Sequence, residues 1–194
     1  EIFSKKGKET QYSLRLFPIG GYVKMLGEEE VSDDERSFSS KSPLRRITVI
    51  LAGVTMNIIF AIVAFSIIIS NRGYTEARIS KLEPNTPAIE SGLQVGDKIL
   101  AIDGSRVFTT TDVSMGIQLS KGKTVDLLVN RNGKKENIKV TPRLVDQDGT
   151  QKYQVGFYYT PVENPTVLES IKESFNETIS LVTQTYKSLK MMVT

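Results

Sequence analysis

Carboxylates, lysines, hydroxyls and backbone amides are the reactive groups of this 194-residue chain, which holds neither histidine nor cysteine. Those two absences exclude a Ser-His-Asp or Cys-His catalytic set, a His or Cys zinc site, a thiolate nucleophile and a disulfide framework from the chain acting alone. The densest carboxylates, from Glu28 to Glu35, have no imidazole or thiolate companions and read as a solvated loop with the serine-rich stretch Ser37 to Ser42. Charge is also balanced, with 25 basic against 22 acidic residues. No nucleic-acid partner is expected from that balance, despite a pI near 9.0.

The elements that would position any site divide unevenly. From Ile47 to Ile69 the chain runs without a charge or a proline. As a helix this stretch is roughly 35 Å long, enough to cross a hydrocarbon core of about 30 Å. Arg36, Lys41, Arg45 and Arg46 precede it, whereas Arg72 and Arg78 are the nearest basic residues after it. The N-terminal side is therefore expected in the cytoplasm and everything after Asn71 outside it. Before the span, Gln11 to Leu16 alternates like a half-buried strand, Pro18 to Gly21 supplies a turn, and Tyr22 to Leu26 reads as the return strand. That hairpin would carry Phe17, Pro18 and Ile19 at its tip, against lipid or another apolar segment, or simply packed in a core.

After the span, residues 77–143 read as a self-contained β-rich unit with two short helices. A strand Ala77 to Leu82 leads to a helix capped by Thr86, opened by Pro87 and ended by Gly92. Lys98 to Ile102 is a strand, Thr111-Asp112 caps a helix that turns Val113, Ile117 and Leu119 to the core, and Asn132-Gly133 closes a type I′ hairpin. From Asn164-Pro165 on, Leu168, Ile171, Phe175, Ile179, Val182, Tyr186 and Leu189 recur at steps of three and four. They predict one long amphipathic helix, lying on the bilayer or against other spans. The fold class is thus a multi-part membrane protein segment. It has a cytoplasmic-side hairpin and polar loop (1–46), a transmembrane helix (47–70), a β-rich domain (71–145), connecting strands and turns (146–163) and an amphipathic helix (164–194). Starting at Glu1 without a methionine, the chain reads as part of a longer protein.

Three stretches carry a family resemblance. Phe17-Pro18-Ile19-Gly20-Gly21-Tyr22-Val23-Lys24-Met25 resembles the hairpin after the first catalytic helix of the site-2 protease family of intramembrane zinc metalloproteases, in its RseP-like branch. Lys41 to Arg46 leading into Ala52-Gly53-Val54-Thr55-Met56-Asn57 is similar to that family's next span and its Gly-x-x-x-Asn signature, with Val54 where many members have proline. Gly92-Leu93-Gln94-Val95-Gly96-Asp97-Lys98-Ile99-Leu100 resembles the commonest face of a bacterial PDZ domain.

The resemblance implies a membrane zinc endopeptidase performing regulated intramembrane proteolysis in a bacterial inner or plasma membrane, with the hairpin cytoplasmic and the PDZ outside. Its zinc would be held by a His-Glu-x-x-His helix before Glu1 and an aspartate after Thr194, with no catalytic or metal residue in this segment. Gly20, Gly21, Tyr22 and Val23 would pair with an extended substrate, and Asn57 would face it; turn formation and span packing are the plainer readings. A PDZ groove would lie between Ile79, Ser80, Lys81 and Leu82 and the helix of Val113 and Ile117, residues that also read as plain core. Implied partners are a transmembrane protein substrate such as an anti-sigma-type regulator, a peptide or protein C-terminus, and lipid. The alternative is a noncatalytic membrane-anchored PDZ adaptor.

Overall fold

The computed structural model describes residues 3–7, 11–14, 25–27, 34–147 and 149–193. Two compact units divide the chain at Val54 and Thr55. In the first, β1 (Phe3–Lys6) and β2 (Gln11–Leu14) pair antiparallel, from Phe3 opposite Leu14 to Lys6 opposite Gln11. The sequence predicts a hairpin of Gln11 to Leu16 with Tyr22 to Leu26, and Tyr22 to Lys24 of that return strand lie outside the described residues. The pairing with β1 is a further one: alternation fixes which face a strand buries but not which neighbours it pairs with, so the upstream partner was not legible. Gly20, Gly21, Tyr22 and Val23 lie outside the described residues.

Helix α1 (Pro43–Arg72) begins with proline at its first position, where a missing N–H costs nothing, and overruns the apolar stretch at both ends. It closes on Gly73, whose φ of 75° lets its N–H return to the Ile69 carbonyl at 2.8 Å. By length and composition α1 could cross a membrane, and its apolar window is unburied.

The second unit continues through β3 (Tyr74–Leu82), α2 (Pro87–Glu90), β4 (Lys98–Ile102), β5 (Ser105–Arg106), α3 (Thr110–Leu119), β6 (Val125–Arg131) and β7 (Lys134–Val140). It ends with β8 (Arg143–Gln147), β9 (Thr150–Gln154), β10 (Phe157–Val162) and α4 (Val167–Val193). The main sheet runs β10-β3-β4-β6-β7 with β5 beside β4, and β8 and β9 form a separate ribbon. Positive φ at Asn132 and Gly133 makes the β6–β7 turn the primed type that the Asn-Gly pair predicts.

Ile79, Ile99, Val113, Leu127 and Val129 form the centre of the core, each at most 1% exposed. Helix α3 closes over it at Gly116, where an added Cβ would stand 2.8 Å from the Ile102 side chain. Leu119, expected in the core, is exposed because α3 turns only Val113 and Ile117 inward. The sheet also takes in Phe157–Val162, which the sequence placed among connecting strands and turns outside the β-rich domain, and Val155 is buried in its core.

α3 is capped two residues before the position the sequence marks, and α4 opens at Thr166, just after the expected start at Asn164-Pro165. The Asp112 carboxylate accepts from the N–H groups of Phe108 (2.8 Å) and Thr109 (3.0 Å), so α3 is capped from Thr109 rather than Thr111. In α4 the Thr166 N–H donates to Glu169 (2.8 Å) and the Glu169 N–H donates to the Thr166 hydroxyl (3.3 Å), a reciprocal cap spelled Thr-x-x-Glu.

The long helix inverts the usual amphipathic arrangement. Ser170, Ser174, Thr178 and Ser180 are buried, while Leu168, Ile171, Phe175, Val182, Tyr186 and Leu189 are exposed. Its hydroxyl face meets α1 through Ser174 and Ser66, oxygens 2.8 Å apart. It meets α3 through Ser180, which donates to Asp112 at 2.7 Å, and Gln184, which donates to the same oxygen at 3.1 Å.

Candidate peptide-binding groove

Strand β3 is hydrogen-bonded on both sides, to β10 and to β4. A strand in that position has no free backbone to offer, so the edge expected at Ile79 to Leu82 is already filled by the chain's own β10. Ile79 and Val113 belong to the core, and Leu82 packs against it. Ser80 donates to the carbonyls of Tyr158 (3.2 Å) and Tyr159 (2.8 Å), where the β3–β10 register shifts, and the Lys81 ammonium stands 5.8 Å over the Tyr158 ring. Of the six residues, Ile117 lines the open groove.

That groove lies one strand further out, between β10 and α3. Phe157 is opposite Leu82, and the Glu83 N–H donates to the Gly156 carbonyl at 3.0 Å, which makes the Phe157–Leu82 pair a non-hydrogen-bonded one. The N–H and C=O of Phe157 therefore face away from β3, towards the open edge.

The turn before β10 adds a second donor. Its carbonyls are consumed on the side of the β3–α2 connection: Val155 accepts from the Ala88 N–H at 2.9 Å, and Gly156 also accepts from the Thr86 hydroxyl at 3.3 Å. Thr86 stands before α2 as expected, but its hydroxyl donates back to Glu83 and Gly156 instead of capping the helix. The peptide bonds among the described residues are trans, and in a planar trans unit the next N–H points opposite to the carbonyl. The N–H groups of Gly156 and Phe157 thus project together from the other side of the turn. Glycine is required here: φ is 91°, and a Cβ would stand 2.4 Å from Thr86 Cβ.

The opposite wall is α3, contributing Ser114, Ile117 and Gln118 to a groove of about 710 Å³ that Lys152, Val155 and Phe157 also line. Gln118 reaches across it. Its amide nitrogen donates to the Tyr153 carbonyl at 2.7 Å, and the Tyr153 N–H donates to its amide oxygen at 3.1 Å. At the other end the Tyr159 ring stands edge-on to Phe157, centroids 5.3 Å apart, and burial pushes its hydroxyl pKa up to about 12. An extended peptide placed here would meet backbone donors and an acceptor along β10, an apolar floor, and paired N–H groups suited to an anionic end.

Sequence reasoning placed Val155, Gly156, Phe157 and Gln118 in no site. The nearest signal was Gly156 ahead of the consecutive aromatics Phe157, Tyr158 and Tyr159, which marks a turn into a strand but singles out no site. Asn57 is exposed on α1. No group of three or more carboxylates placed to hold a metal ion occurs among the described residues. With no histidine or cysteine in the sequence, the residues present do not fit the zinc that the resemblance implies, and no chemical step is derived through it.

A family model described as Peptidase family M50 matches residues 1–194. A Clostridium perfringens protein, whose name assigns it provisionally to the zinc metalloproteases, is 44% identical over all of this chain and 57% of its own length. A Clostridium acetobutylicum protein named in the same way is 40% identical over the whole chain and 57% of its length. The chain thus spans little more than half of these relatives. Among solved structures, the PDZ domain of the SdrC-like protein of Listeria innocua is similar over 46% of this chain and 99% of its own, with 21% identity and a TM-score of 0.39.

Proposed function

The chain belongs to peptidase family M50, and from that premise we propose that it is the substrate-handling part of a membrane zinc endopeptidase that performs regulated intramembrane proteolysis. The observation that carries this reading is the open β10 edge facing α3, with the Gly156 and Phe157 N–H groups side by side at its start. A PDZ-like unit of this form takes an extended peptide by strand addition and seats its anionic end on the paired amides. Helix α1 spans the bacterial membrane, and the β-rich unit stands outside it, where protein ends generated by earlier cleavage are available. The exposed apolar stripe of α4 lies towards lipid, since Ser174 beside it meets Ser66 close to the end of the apolar run. Gly20, Gly21, Tyr22 and Val23 pair with the unwound substrate, and Asn57 faces it from α1. The family match along the whole chain favours this reading over a noncatalytic adaptor.

The test is photo-crosslinking in the full-length protein. A photoreactive residue at Ser114, exposed on the groove wall, should capture an extended peptide with a free carboxylate, and excess unlabelled peptide should compete. The same residue at Ile89, exposed on α2, serves as control. Equal capture at both positions, or none at Ser114, defeats the groove.

A further inference from the structure

Gln118 ties the groove's two walls together through both backbone groups of Tyr153 on the far side, and the proposed function gives it no role. We propose that Gln118 is a positioning residue that makes the groove blind, so that it accepts the end of a chain and rejects a segment that continues past it. The inference rests on the peptide-groove reading above.

Its basis is the edge of β9. Tyr153 is opposite Leu144 in the β8–β9 ribbon, and both its backbone groups bond the Gln118 amide. Gln118 therefore does for β9 what an added strand would do. Beyond the turn at Val155-Gly156, the free edge of β10 would otherwise continue onto β9, and a peptide threading through could pair with both strands. With the amide in place that path stops at Tyr153. The tyrosine cannot easily swing aside, because its ring packs on the core and against Gly122, where an added Cβ would stand 2.8 Å from it. A peptide carboxylate can stop at the Gly156 and Phe157 N–H groups, whereas a peptide with further residues meets Gln118.

The experiment compares binding of two peptides to the full-length protein in detergent. One is an acetylated hexapeptide ending in leucine with a free carboxylate, and the other is the same hexapeptide extended by four alanines and amidated. Wild type should prefer the free end by about tenfold or more, at least the scale of one charge-assisted hydrogen bond to a carboxylate. In Gln118→Met, which keeps length but loses the amide, that preference should fall to within about twofold, mainly by a gain in binding of the extended peptide. Gln118→Asn, too short to bridge, should behave like Gln118→Met. Hydrogen exchange at the Tyr153 amide should rise in both variants while the β3 and β4 amides stay protected, a pattern that loss of the fold would not give. An unchanged preference in Gln118→Met overturns this inference and leaves the groove standing. If wild type binds neither peptide, the groove reading fails and this one with it. If both variants lose both peptides equally with the sheet still protected, Gln118 contacts the ligand itself, and the positioning role is wrong.

Discussion

Asp97 and Gly156 illustrate how differently single residues announced their work. Asp97 belongs to the Gly-Asp turn that reads directly from sequence, and its side chain is fully buried against Arg131, with Nε to Oδ1 at 2.8 Å and Nη2 to Oδ2 at 2.7 Å. Arg131, thirty-four residues away and in another strand, could not be named as its partner from spacing. Burial alone would raise the Asp97 pKa, but the guanidinium and the Gln94 N–H outweigh it and hold the carboxyl below its ordinary range. A depressed pKa in the folded state adds stability that is complete above the unfolded value, about 4, and is lost as pH falls through the folded value. Asp97→Ala should therefore cost about 1–3 kcal/mol at pH 7, because it removes two charge-assisted bonds and leaves the guanidinium to Glu136 and the Gly92 carbonyl, and the gap from wild type should narrow below about pH 4. Calorimetry of the detergent-solubilised chain at pH 7 and pH 3 measures both; a gap that widens in acid would contradict the pairing. Gly156 was hidden because one glycine in an aromatic stretch carries no pattern of its own. Gly156→Ala meets both a φ of 91° and Thr86, and it should cost about 2 kcal/mol or more and abolish capture from a photoreactive Ser114.

The elements were legible where period and punctuation agreed. β4, the Asn-Gly hairpin of β6 and β7, the apolar α1 and the long α4 all follow from alternation, helical spacing and turn residues. What spacing withholds is who pairs with whom. β10 lies about eighty residues from β3 yet completes the sheet beside it, and the pairing of β2 with the upstream β1 was equally hidden. A fragment ending at residue 143 leaves β3 with an open edge and removes Val155 and Phe157 from the core. Residues 73–163 should therefore give a dispersed amide spectrum when expressed alone, and residues 77–143 should not; equal dispersion would show β10 to be dispensable. In α4 the spacing gave the helix and an apolar stripe left to the bilayer or to other spans. It did not announce that the serines and threonines opposite take the protein-facing side. Val182→Asp and Phe175→Glu place charges on exposed positions, so they should leave the fold intact while reducing flotation of residues 73–194, which lack α1, with anionic vesicles several-fold.

At the scale of the whole molecule, docking and bond cleavage fall to different parts of the protein. These 194 residues contain backbone edges, an apolar helix and a groove, but no histidine or cysteine, and the curated relatives are nearly twice as long. If the zinc of the proposed endopeptidase is held outside this stretch, the two functions should separate experimentally. Removing the metal from the full-length protein with a chelator should abolish hydrolysis of a membrane substrate, because a bound zinc supplies the activated water. The same treatment should leave peptide capture at Ser114 unchanged, because the groove is lined mainly by backbone, hydroxyl, amide and hydrocarbon groups and its one carboxylate, Glu83, belongs to no metal-holding cluster among the described residues. The converse should also hold. Gly156→Ala should slow cleavage of substrates that depend on a docked end while zinc content stays at wild-type stoichiometry, and a short substrate with no extracytoplasmic tail should be cut at the wild-type rate. Zinc analysis, crosslinking and cleavage on one preparation decide the matter. Loss of capture on chelation would tie the groove to the metal centre through the fold, and equal slowing of tailed and tailless substrates would mean that Gly156 supports the catalytic architecture rather than the docking of an end.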